Sequence, residues 1–233
     1  MQGIISRGGI IAVKEKIMFD LNLPTLISRI IILIIAFSVH EFAHAWTADR
    51  FGDPTPRYNG RLTLNPLAHL DPLGSLMLIV AGFGWAKPVQ VNPYALQRRS
   101  PAAMMWVSLA GPLSNFLMAV LAAIPFRLGL ISTFQAFTSS GRVFPSLDEF
   151  MYEFLFINLI LMLFNLIPLA PLDGEKIADY FFPPSWSRFL DRIRPYGPLI
   201  LLALVFLGPT VGLNILGWIL GPPMRALLSL LVG

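Results

Sequence analysis

Long apolar runs separated by short polar ones organise this chain. Leu26–Thr47 reads LISRIIILIIAFSVHEFAHAWT, long enough for the roughly 20 residues a helix needs to cross the hydrocarbon. Pro101–Phe126 is a second such run and Phe150–Leu169 a third. Pro198–Gly233 is almost continuously apolar, broken at Gly208-Pro209 and Gly221-Pro222-Pro223. It fits one span plus an interfacial helix, or a tight helical hairpin. Leu73–Gly84 is apolar but only 12 residues long and rich in glycine, which suits a re-entrant segment or a hairpin. Lys87–Asn92 alternates as a strand does. Pro88 within it and Pro93 after it mark an edge strand. Residues 1–24, with Arg7, Lys14 and Lys16, read as an interfacial lead-in, because their apolar stretch is too short for a signal peptide. The pattern predicts an all-α polytopic membrane protein, with residues 1–233 forming one membrane-embedded domain. Its core has three transmembrane helices within 26–180, with a short β-hairpin or re-entrant segment between the first two. A C-terminal helix or helices follow at 198–233.

Composition supports the membrane class. Hydrophobic residues make up 55% and charged residues 13%, about half the roughly 25% usual in soluble domains. The mean hydropathy is +0.68. Such a chain is neither disordered nor a soluble domain. The pI near 9.7 comes with a net charge of only +4, which basic cytoplasmic loops explain without nucleic acid. The loops 48–101 and 174–197 carry ten Lys and Arg, the loop 127–149 two and the N-terminus three. The positive-inside rule puts the first set in the cytoplasm, although the N-terminus runs slightly against it. Cysteine is absent, so disulfide and thiolate chemistry are excluded.

The candidate chemistry lies in the last two turns of the first span. His40-Glu41-Phe42-Ala43-His44 places two histidines at i and i+4, on one helical face, where both imidazoles can reach one metal ion. Glu41 is rotated by about 100° from His40. It can stand beside a metal-bound water and take its proton. Ionisable groups deep in a span cost at least about 2.5–3.5 kcal/mol each and point to function by default. Arg29, nearer the other end, can snorkel to the headgroups. A catalytic zinc site needs a third ligand and an open position. His69 sits in a polar loop and reads as solvated. Asp173 is the better candidate, because it follows a broken helix within an apolar stretch. It can also serve as the N-cap of a helix at 174–180. His40 and His44 lie roughly 5 to 11 Å below the cytoplasmic end of their span. The third span returns to that same face near Asp173.

His40-Glu-Phe-Ala-His44, Gly111-Pro-Leu-Ser-Asn115 and Asn165-Leu-Ile-Pro-Leu-Ala-Pro-Leu-Asp-Gly174 occur in that order. Together they resemble the site-2 protease family of intramembrane zinc metalloproteases. The resemblance implies that His40, His44 and Asp173 bind one Zn2+ per chain and that Glu41 is the catalytic base. Asn115 and Asn165 match family positions near the active site, and Gly84–Pro93 resembles the family's strand-forming loop. The 23 residues of the loop 127–149 leave no room for a PDZ insertion, and neither a CBS domain nor an extra leading helix is expected. The chain therefore resembles the compact bacterial or archaeal subgroup. An intramembrane endopeptidase is expected, resident in a prokaryotic cell membrane with its active site near the cytoplasmic face. Its partners are transmembrane-helix substrates and the lipid bilayer, and nucleic acid is not among them. An unwound substrate would pair with the edge strand through Lys87, Val89 and Val91. Two rivals remain. An ion-coupled transporter would bind at a broken helix, but the internal repeat it predicts is not seen. A non-catalytic scaffold of the same fold would have no need of Glu41 and Asp173. Bland roles suit Trp46, Trp85 and Trp106 as interfacial anchors, and Gly111 and Gly129 as close-packing positions.

Overall fold

The computed structural model describes residues 23–74, 84–132 and 144–233. Helix α1 (Leu23–Arg50) ends at Gly52, whose φ of +83° is a left-handed conformation that glycine adopts freely. The Asp53 N–H then closes on the Ala48 carbonyl at 3.0 Å. This turn sets Asp53 just past the helix, where its side chain is fully buried.

Helix α2 (Pro93–Arg99) is short and capped by Asn92, whose side chain accepts from the Tyr94 and Ala95 N–H groups. Helix α3 (Ala103–Arg127) is the second long apolar helix. It ends at Gly129, whose φ is +68° and whose Cβ position faces open space. Gly129 therefore serves chain reversal, not the close packing expected of it. Helix α4 (Leu147–Asn165) starts with Ser146 accepting from the Glu149 N–H at 3.2 Å. This serine cap draws the helix three residues ahead of the expected Phe150. It stops at Asn165, four residues before Leu169, where a turn carries the chain to α5 (Asp173–Phe181) and α6 (Pro184–Ile193).

The C-terminal region forms a helical run, α7 (Gly197–Leu202, continued to Thr210), and a separate helix α8 (Ile215–Val232). Helices α1, α3 and α8 are each long and apolar enough to cross a membrane. α4 has 19 residues but carries Asp148, Glu149 and Glu153 toward its start.

The all-α membrane fold is as expected. Its main core lies between α3, α4 and α8, where Ala119, Ala122, Ala123, Leu155, Leu159 and Met224 are buried together. The alanines let α4 approach α3 closely. At the other end of α3, Ala48, Leu96, Ala103 and Val107 form a second cluster, on which Val91 packs. Arg29 does not snorkel. Its Nε lies 3.4 Å from Glu153 Oε1, and both side chains are largely buried.

The lead-in at 1–22 and most of the Leu73–Gly84 segment lie outside the described residues. The expected strand at Lys87–Asn92 is an extended run without a ladder. One isolated antiparallel bridge, Leu70 to Ala86, precedes it.

Candidate metal centre

Three elements meet at one end of the bundle: the last turns of α1, the first half of α3 and the first residue of α5. The i, i+4 spacing stacks His40 and His44, with ring centroids 4.6 Å apart and nearly perpendicular. Each ring is fixed from behind. The His40 Nδ1 lies 2.6 Å from Asn115 Oδ1, and the His44 Nδ1 lies 2.7 Å from the Val107 carbonyl oxygen. Both partners are acceptors, so both Nδ1 atoms carry the proton. In the neutral rings, the form that binds metal, that leaves both Nε2 atoms as acceptors facing inward, 3.0 Å apart. Asp173 Oδ2 lies 3.2 Å from His40 Nε2 and 3.4 Å from His44 Nε2. This oxygen is buried and has no hydrogen-bond donor.

Two imidazole nitrogens and a carboxylate oxygen, all acceptors and mutually close, repel one another unless a cation lies between them. These three residues can hold a metal ion. Two nitrogens and one oxygen suit zinc and leave a fourth position open. Asp173 is the first residue of α5 rather than its N-cap. That place is taken by Leu172, and no side chain caps the helix. Gly174 is required because a Cβ there would strike the Leu166 and Ile167 carbonyls. Gly111 is tied to the site more directly. A Cβ there would run into both imidazoles, so the small residue expected to let helices approach is instead the floor beneath the two rings.

Glu41 is buried beside this group. Its Oε2 accepts the Val89 N–H at 3.0 Å. The extended run that brings Val89 there is held at intervals. The Lys87 N–H donates to the His69 carbonyl at 2.8 Å, and the Asn92 N–H to Asp53 Oδ2 at 2.6 Å. Arg61 donates to the carbonyls of Ala68 and, at 3.4 Å, Lys87. His69 is fully buried, its Nε2 lying 2.8 Å from the Thr63 carbonyl oxygen. The solvated loop residue expected there is thus a pillar of the turn that supports this run.

Of the residues singled out from sequence, His40, His44, Asp173, Glu41, Asn115 and the Val89 main chain come together. Lys87 is solvent-exposed and Val91 packs on the second core cluster. Asn165 turns its amide back onto the Leu161 carbonyl of its own helix at 3.0 Å. Sequence reasoning passed over Asn158, which is fully buried and accepts from Asn115 Nδ2 at 2.9 Å. Its signal was a polar side chain inside a spanning helix. The Val107 carbonyl carried no signal at all, being main chain.

Comparison with known proteins follows the same residues. A model of Peptidase family M50 matches residues 28–207. "Putative zinc metalloprotease YwhC" of Bacillus subtilis is 41% identical over 175 residues, 75% of this chain and 78% of that protein. "Putative zinc metalloprotease Rip2" of Mycobacterium tuberculosis is 32% identical over 194 residues, 81% of this chain and 68% of that one. A shorter match, 28% over 106 residues, links 41% of this chain to 24% of "Regulator of sigma E protease" of Haemophilus influenzae. No solved structure matches the chain. The matched stretch opens twelve residues ahead of His40 and closes well beyond Asp173, and on that ground the chain belongs to peptidase family M50, the site-2 protease family, as a membrane-embedded zinc metalloprotease.

Proposed function

We propose that the chain hydrolyses peptide bonds within or near the transmembrane helices of membrane-protein substrates. His40, His44 and Asp173 would hold one zinc ion per chain, and Glu41 would be the general base. The observation that carries this reading is the convergence of three buried acceptors within 3.4 Å of one another, with Glu41 alongside. A zinc ion bound there would supply a Lewis acid for the scissile carbonyl and make the attacking water more acidic.

The rest falls to the chain's own groups. The Glu41 carboxylate takes a proton from the attacking water as its oxygen bonds to the carbonyl carbon. It gives that proton to the amide nitrogen as the C–N bond breaks. The Val89 N–H holds Oε2 at 3.0 Å, which restrains the carboxylate in one orientation. Asn115 and the Val107 carbonyl keep the two rings from turning.

A helical substrate hides its peptide bonds and must unwind before it is cut. The run Lys87–Asn92 supports a role in holding the unwound stretch. Its inward N–H groups at Lys87 and Val89 are spent on the protein. Alternation in an extended chain turns the groups of Pro88 and Gln90 to the opposite edge, where a substrate strand can add. The basic loops flanking this end of the bundle support a cytoplasmic placement of the site.

The test is Glu41→Gln in detergent-purified protein, with His44→Ala and Asp173→Ala beside it. Glu41→Gln should keep about one zinc per chain while cleavage falls by about 10²–10⁴-fold. The other two should lose zinc. Cleavage at the wild-type rate by Glu41→Gln would remove Glu41 as the base.

A further inference from the structure

Behind His40 runs a chain of amides that crosses three helices. Asn158 Nδ2 on α4 donates to the Phe154 carbonyl of its own helix at 2.8 Å. That bond fixes the amide, because the nitrogen must face the carbonyl and the oxygen must face away. Asn158 Oδ1 then accepts from Asn115 Nδ2 on α3 at 2.9 Å. This fixes the second amide in turn, so that Asn115 Oδ1 faces His40 Nδ1 at 2.6 Å. An oxygen there admits only a protonated Nδ1, which in the neutral ring leaves Nε2 as a lone pair. Asn115 and Asn158 are both fully buried, so water does not compete for these bonds.

We propose that Asn158 is a positioning residue of the metal centre. Through Asn115 it imposes the Nδ1–H tautomer on His40 and so presents Nε2 to the ion. The direction of the relay is set at its far end by a helix carbonyl that cannot turn. Without Asn158, the Asn115 amide is free to flip its nitrogen toward His40, which would favour the Nε2–H tautomer and block the ligand atom. This inference rests on the assignment of His40 as a ligand, and the test separates the two.

The experiment is zinc affinity by chelator competition on detergent-purified wild type, Asn158→Leu, Asn158→Asp, Asn115→Leu, the Asn115→Leu/Asn158→Leu pair and His40→Ala. Ring 15N shifts of His40 in the zinc-free protein are recorded alongside. Asn158→Leu should weaken zinc binding by about ten- to a hundredfold, as loss of an outer partner does. Asn158→Asp should bind close to wild type. Its acid form keeps one acceptor for Asn115 and one donor for Phe154. The double variant should bind no more weakly than Asn115→Leu. Unchanged affinity in folded Asn158→Leu, or losses that multiply in the double variant, would overturn the relay. So would wild-type shifts showing a neutral His40 ring with its proton on Nε2 and a bare Nδ1, a result that needs no variant to fold. If His40→Ala binds zinc as wild type does, the ligand assignment fails instead, and the 15N shifts still judge the tautomer.

Discussion

Gly111 shows how a residue without a side chain can be specific. Any Cβ at that position meets the His40 and His44 rings, and those rings are pinned from behind by Asn115 and Val107. They cannot yield without breaking a buried hydrogen bond. Gly111→Val should therefore yield a folded protein that has lost its zinc, read by metal analysis against size-exclusion behaviour. A full complement of zinc in that variant would contradict the packing. The histidine pair was legible in sequence because its spacing matches one helical face and ionisable side chains are costly in an apolar run. Asp173 was legible because an acid stood alone after a broken helix. Asn158 was not, because its meaning depends on Asn115, which faces it from another helix. His69 was misread because a polar, proline-flanked stretch gives no sign that it will fold around one of its own residues.

Elements were predicted well where periodicity is long and poorly where bonding is local. The long helices α1 and α3 follow from length and apolarity. The ends of α4 moved, because a serine cap and a post-helix turn decided them. The run at 87–92 alternates like a strand, yet its partners are scattered single groups: the His69 carbonyl, the Glu41 carboxylate and the Asp53 carboxylate. No pattern of side chains announces such partners. Asp53 is the outer anchor, accepting from both Thr55 and Asn92. Asp53→Ala should loosen the run while leaving His40, His44 and Asp173 in place. Substrate cleavage should fall, zinc should stay, and limited proteolysis should cut faster between residues 84 and 92. Unaltered proteolysis would show that the run stands without this anchor.

For the whole molecule, α1 is fastened at two levels, to α4 at one and to the start of α5 at the other. Arg29 and Glu153 pair at one level. Eleven residues along α1, roughly 16 Å at 1.5 Å per residue, His40 and His44 meet Asp173. Removing one charge of a largely buried pair costs about 3–5 kcal/mol, whereas replacing both by apolar groups is often neutral or stabilising. Glu153→Leu should thus lower the Tm in detergent, and the Arg29→Leu/Glu153→Leu pair should recover most of the loss. A double variant no better than the single one would mean that the charge itself is not the cost. At the other level, an ion bound at a thousand times its Kd adds about 4 kcal/mol to stability. Chelation should lower the Tm of wild type and leave that of His44→Ala unmoved. Equal drops in both would place the bound metal elsewhere.

The bond from Val89 to Glu41 has a consequence for how this site is to be explored. The donor is a main-chain N–H, which every residue but proline possesses. Evolution can therefore exchange the side chain at 89 while keeping the contact, and alanine scanning through 87–92 would pass over it in silence. Only a change that removes the N–H itself, Val89→Pro or an ester in place of the amide at that bond, would make it visible.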